Sequence, residues 1–177
     1  MDATGIVLAA GAGTRAGGPK ALLRLPDGTS WIAASTAALL GGGCSRVVVV
    51  LGAMAQLARP LVPGAAEVVV ADDWSAGMSA SLRAGLAAAS GDAALVTLVD
   101  LPSLPVSVVR RVLAAGTLAQ AVYDGRPGHP VLIPAAHWAG AAESSHGDRG
   151  ARDYLVAQGA LEIECGDLWH GIDRDEG

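Results

Sequence analysis

Hydrophobic positions along this chain alternate between two patterns. Short continuous runs rich in aliphatic and β-branched residues, Ile6–Ala10, Val47–Leu51, Val68–Ala71 and Ala94–Val99, suit strands buried on both faces. Between them lie longer Ala/Leu-rich segments, Ser30–Leu40, Met54–Val62 and Met78–Ala89, in which Leu82 and Leu86 fall on one helix face. Gly41-Gly42-Gly43 is expected to stop the first helix. Beyond Asp100 the pattern loosens: Pro105–Ala115 predicts a helix, Ala119–Tyr123 and Pro130–Ile133 strands, and Arg149–Ala157 another helix. This order predicts an α/β fold, a Rossmann-like three-layer α/β/α sandwich with helices on both faces of a mostly parallel sheet. No repeat or linker divides the chain, so residues 1–177 read as one domain, long enough to bury a sizeable core. In such sheets ligands bind beyond the carboxyl ends of the strands.

The first strand empties into the most informative segment, a turn with glycines at 11, 13, 17 and 18 and two cations, Arg15 and Lys20. Without Cβ atoms the backbone N–H groups can approach a ligand closely, and successive N–H groups form a concave anion site. With two cations added, the turn is expected to hold phosphate. Gly11-x-Gly13-x-x-Ala16 formally meets the dinucleotide fingerprint, but the second strand ends Val50-Leu51-Gly52-Ala53, without the carboxylate that would hold a ribose. A nicotinamide enzyme is therefore disfavoured. No Gly-Lys-Ser/Thr occurs, so the turn is not a Walker A loop either.

Composition narrows the setting. Hydrophobic residues make up 51% and charged residues 16%, which excludes a disordered chain, and the absence of Phe demands an aliphatic core. A net charge of −5 with no dense Lys/Arg run argues against nucleic acid as a partner. Cys44 and Cys165 lie far apart and read as idle thiols in a reducing compartment. No charge-free stretch is long enough for a membrane span and the amino terminus lacks a basic signal region, so a cytoplasmic protein is expected.

A second signal completes a site. Val96-Thr97-Leu98-Val99 runs into Asp100-Leu101-Pro102, which brings a carboxylate to the rim that carries the glycine turn. Mg²⁺ usually takes one or two carboxylates together with phosphate oxygens and water, and Asp100 suits that task while Arg15 and Lys20 face phosphate.

These segments carry a family resemblance. Leu8-Ala9-Ala10-Gly11-Ala12-Gly13-Thr14-Arg15-Ala16-Gly17-Gly18-Pro19-Lys20 is similar to the opening LAAGxSxRMGxxK of the molybdenum-cofactor nucleotidyltransferases, most of all the cytidylyltransferases. Trp74-Ser75-Ala76-Gly77-Met78-Ser79-Ala80-Ser81-Leu82-Arg83-Ala84-Gly85 resembles the W-x-x-G-M-x-x-S-L-x-x-G block, and Val99-Asp100-Leu101-Pro102 its G-D-x-P. Gly128-His129-Pro130, Gly147-Asp148-Arg149-Gly150-Ala151-Arg152 and Gly171-Ile172-Asp173 match later family motifs in the same order. The chain departs at Ala16 (Met in the family), Ala71 (often Asn), Val99 (Gly) and in a tail without Thr-Pro-Glu-Asp.

The resemblance implies a transferase that moves CMP from CTP to a phosphorylated molybdenum-pterin and releases pyrophosphate. Leu8, Ala9, Ala10, Gly11 and Gly13 would line the nucleotide, Lys20 would bind its phosphates, and Arg15 would support the departing pyrophosphate. Asp100 and Asp173 would hold Mg²⁺. Ala-Ala-Gly at 9–11 favours CTP over GTP, since a Cβ at Ala10 narrows the base pocket. Ser79 and Ser81, helix caps by default, could touch base or ribose, and His129 would line a substrate pocket. Asp148 reads as a helix-start acid with Arg152 four residues on, rather than a pterin contact. The alternatives are a GTP-using or sugar-phosphate nucleotidyltransferase, and a non-catalytic molybdenum-cofactor binding or maturation protein that serves a molybdoenzyme.

Overall fold

The computed structural model describes residues 1–14 and 17–174. Seven strands, β1 (Ala3–Ala9), β2 (Arg46–Leu51), β3 (Ala66–Val70), β4 (Ala93–Leu98), β5 (Ala119–Tyr123), β6 (Arg126–Pro134) and β7 (Leu161–Glu164), form one sheet in the order β3-β2-β1-β4-β6-β5-β7. The first four strands run parallel, β6 runs antiparallel to both neighbours, and β7 returns parallel to β5. The expected mostly parallel three-layer fold is present.

Side-chain alternation divides the core. Val7, Val47, Val49, Leu51 and Leu95 face helices α1 (Trp31–Gly42) and α4 (Val106–Leu113). Ile6, Leu8, Val48, Val50 and Val96 face the opposite layer, α3 (Met78–Ala88), α5 (Trp138–Ser144) and α6 (Arg152–Ala157). Because both faces are covered, β1, β2 and β4 read as continuous apolar runs. Burying one such Leu or Val contributes about 1.5–3 kcal/mol.

Several expected boundaries shift for physical reasons. The triple glycine does end α1, but at its last member: the helix runs past Leu40 through Gly42 and is capped by Gly43, which adopts φ +116°. A Cβ on Gly42 would lie 2.0 Å from Val109 of α4, so this glycine serves close helix packing. Met54–Val62 breaks into a four-residue helix, α2 (Ala55–Ala58), and a 3₁₀ turn containing Pro60. Residues 147–157 likewise divide into a 3₁₀ turn at Gly147–Arg149 and α6, separated by Gly150 at φ +54°. Strand β6 is longer than Pro130–Ile133, and α5 and β7 are additions that composition did not reveal.

Candidate functional site

Strand register builds the site. Leu8 of β1 pairs with Leu98 of β4, so the residues that leave both strands emerge side by side at their carboxyl ends. One exit is the glycine turn and the other, two residues beyond β4, is Asp100. Both line a single cleft of about 400 Å³ that also takes in Lys20, Trp74, Ser81 and Asp148.

The turn is closed by its own backbone, with Gly18 N–H donating to the Gly13 carbonyl at 3.1 Å. Gly13 sits at φ +59°, and a Cβ there would fall 1.8 Å from the Gly18 oxygen. Only glycine fits. Gly11 meets nothing within 4 Å on its Cβ side and leaves the approach open. Leu8, Ala9, Ala10, Gly11, Gly13 and Lys20 thus lie together, as the motif implied. Arg15 lies outside the described residues.

Lys20 Nζ donates to Asp100 Oδ2 at 3.1 Å, with the two side chains only 17% and 18% exposed. The second carboxylate oxygen, Oδ1, is buried and accepts no hydrogen bond among the described residues. A buried unpaired carboxylate oxygen is costly in isolation, and a hard cation would satisfy it. Among the described residues no group of three or more His, Cys, Asp or Glu could enclose a metal unaided. The donor set therefore fits a hard divalent cation held by one or two carboxylates and completed by phosphate and water.

Asp173 does not line the cleft, but its segment reaches it: the next residue, Arg174, donates its N–H to the Asp100 carbonyl at 2.9 Å. The route is fixed by packing on Tyr123. Trp169 meets that ring edge-on at 5.7 Å, and a Cβ on Gly171 (φ +67°) would stand 2.1 Å from it. Of the two serines, Ser81 lines the cleft, whereas Ser79 is buried without reaching it. Neither caps α3; its N-cap is Gly77 at φ +105°, and Asp148 Oδ1 accepts from Met78 N–H at 3.4 Å. The expected Asp148–Arg152 pair is replaced by Arg149–Asp153 at 3.0 Å. Asp148 turns to α3 instead.

His129 stands apart from this cleft. It lines an adjoining cavity of about 240 Å³ that shares Leu8 and Met78 with it. The resemblance assigned His129 to a substrate pocket without saying which; the antiparallel β4–β6 pairing brings it to this adjoining cavity.

A family model described as MobA-like NTP transferase domain matches residues 5–161. The chain belongs to the MobA-like NTP transferase family. It is accordingly a nucleotidyltransferase, with the first-loop and Asp100 segments that the resemblance singled out. Nicotine blue oxidoreductase of Paenarthrobacter nicotinovorans is 42% identical over 97% of this chain and 91% of its own length. Rv0371c of Mycobacterium tuberculosis H37Rv superposes with a TM-score of 0.81 at 25% identity, covering 99% of this chain and 94% of its own. Its complex with manganese matches at a TM-score of 0.76 and 26% identity, over 93% of this chain and 87% of its own. A nucleotidyl transferase from Methanothermobacter shares the fold, with a TM-score of 0.81 at 23% identity over 99% of this chain and 92% of its own. Among the described residues no helix is long and apolar enough to cross a membrane.

Proposed function

We propose that this transferase uses CTP with Mg²⁺, transfers CMP to a phosphorylated molybdenum-bearing pterin, and releases pyrophosphate. The observation that carries the reading is the Asp100 carboxylate, which spends one oxygen on Lys20 and keeps the other unpaired beside the glycine turn. Asp100, with Asp173 from the tail, would hold the cation. When bound, Mg²⁺ supplies Lewis-acid polarisation and a template for phosphate oxygens. The manganese complex of the Mycobacterium relative supports a divalent cation as a ligand class.

The chain's residues supply positioning and charge. The turn Ala10–Gly13 offers backbone N–H groups to the triphosphate, and Lys20 neutralises phosphate charge with help from Arg15. A terminal phosphate oxygen of the acceptor attacks the α-phosphorus in line, the α–β phosphoanhydride bond breaks, and its electron pair leaves with pyrophosphate. Neither a nucleophilic side chain nor a covalent enzyme intermediate is needed. Ala10 lines the cleft, where its Cβ would narrow a base pocket, and so supports CTP over GTP. A molybdoenzyme that receives the finished dinucleotide cofactor is the partner this reading implies, and a cytoplasmic setting suits it.

Pyrophosphate release with each of the four NTPs, Mg²⁺ and purified pterin cofactor tests the reading: CTP should support the fastest release. Release only with GTP, or with a sugar phosphate as acceptor, replaces the substrate while keeping the chemistry; pterin binding without release favours a maturation protein. A second reading rests on the name of the Paenarthrobacter relative, an oxidoreductase, which suggests reductive use of the same cleft. Leu51-Gly52 ends β2 without a ribose-binding carboxylate, which weighs against it. Saturable NADPH binding in a fluorescence titration would favour it.

A further inference from the structure

Away from both cavities, the exposed apolar side chains are not scattered evenly. Among the large hydrophobic residues exposed on the described surface, Met54 (54%), Leu57 (58%) and Val70 (39%) line one open groove of about 550 Å³. It lies where β2 and β3 leave the sheet: Met54 precedes α2, Leu57 lies on that helix, and Val70 ends β3. β3 is the last strand on this side and pairs only with β2, so no further strand covers Val70. Single exposed apolar residues are ordinary, but several gathered in one concavity mark a contact surface.

The local backbone holds this surface in place. Met54 adopts φ +54°, a left-handed conformation that residues with a side chain rarely take. Its turn is tied from beneath, with Ala53 N–H donating to the Ala10 carbonyl at 2.9 Å. A Cβ on Gly52 would lie 2.5 Å from Trp74 and 2.7 Å from the Ala10 oxygen. Ala10 and Trp74 line the charged cleft, so the floor of the groove backs the wall that carries the glycine turn.

Charge selects the occupant. Arg59 and Asp72 are the charged residues of the groove, both exposed, and neither side chain has a hydrogen-bond or ion-pair partner among the described residues. An acidic or basic partner would satisfy one and repel the other, and an anionic lipid surface would repel a chain of net charge −5. A second copy turned about a two-fold axis satisfies both at once, because each contact is made twice with the roles exchanged.

We propose that this groove is a contact surface between two copies of the chain, with Met54, Leu57 and Val70 against their counterparts and Arg59 against Asp72 of the other copy. Ten residues line the groove, fewer than the roughly 20–30 a side of a stable interface, so the association is weak and concentration-dependent. Dimer formation does not depend on what the cleft binds.

Sedimentation velocity of the full chain tests this over about 1 to 200 μM, a span suited to an interface below standard size. The weight-average mass should rise from one chain toward two. Leu57→Glu, which sets carboxylates into the apolar contact, should weaken association by about tenfold or more. Arg59→Asp and Asp72→Arg should each weaken it about tenfold, since each variant opposes like charges at both contacts. An equimolar mixture of those two variants pairs opposite charges at both contacts and should associate as well as the wild type. A single chain at every concentration, association that none of the variants weakens, or a mixture no better than its components overturns the proposal. If Leu57→Glu fails to fold, the two charge variants and their mixture decide.

Discussion

The two neighbouring cavities are built on opposite principles. The Asp100 cleft collects charge: a carboxylate, a lysine and a run of backbone N–H groups converge at the ends of two parallel strands. The His129 cavity, a slot between the sheet and a helix layer, collects apolar surface, with Gln120, an imidazole whose pKa burial lowers, and two arginines as its polar features. The difference teaches a division of labour. Under the proposed function the charged cleft would hold the triphosphate, while the neighbouring cavity offers shape and apolar surface rather than charge.

Removing charge from the cleft is the harshest way to break that division. Asp100→Ala should lower turnover by about 10²–10³, as loss of one preorganised electrostatic group does elsewhere. Pyrophosphate release measures it, and Lys20→Ala should weaken nucleotide binding and rate together.

Distorting the turn without touching charge should have the next largest effect. Gly13→Ala forces a Cβ onto the Gly18 oxygen in a left-handed conformation, a cost of about 1–3 kcal/mol. If the bound turn must keep this shape, calorimetric NTP affinity falls by about 10–100-fold.

The tail gives a smaller, sharper test. Gly171→Val should push the strap off Tyr123 and withdraw Asp173 and Arg174 from Asp100. Metal affinity, followed by Mn²⁺ titration in the presence of NTP, should drop about tenfold, the lower end of what lost support around a metal ligand costs. Unchanged affinity would remove Asp173 from the metal site.

The mildest effect concerns the core rather than either cavity. Burial beneath α1 pushes the Cys44 thiol up from 9.0 to about 12. Between those values the unfolded chain has lost a proton that the folded chain keeps, so stability is full below pH 9 and falls as pH rises toward 12. The slope from this group is at most about 1.4 kcal/mol per pH unit. Urea midpoints above pH 9 should decline less steeply in Cys44→Ala than in the wild type.

The contrast between the cavities also explains what could be read from the chain. β1, β2 and β4 are apolar on both faces, so their pattern needs no tertiary context, and Gly11, Gly13 and Lys20 adjoin one of them in sequence. Asp100 was legible because a parallel strand delivers its next residues to the same rim. The slot was not. His129, Gln120 and Arg152 come from β6, β5 and α6, and only the antiparallel return of β6 beside β4 brings them over one sheet face. Gly42 misled for a related reason: a helix-ending residue type was serving contact with Val109, which no local pattern encodes. Ser79 misled as well, since Gly77 and Asp148 finish the helix in its place.

Calorimetric titration of CTP into wild type and Asp100→Asn, each with and without Mg²⁺, tests the shared phosphate cleft most directly. Wild type should bind CTP tightly only with Mg²⁺, and Asp100→Asn should lose that metal dependence while keeping its fold. Equal, metal-independent binding by both proteins would contradict the assignment of the Asp100 carboxylate to a cation-held triphosphate.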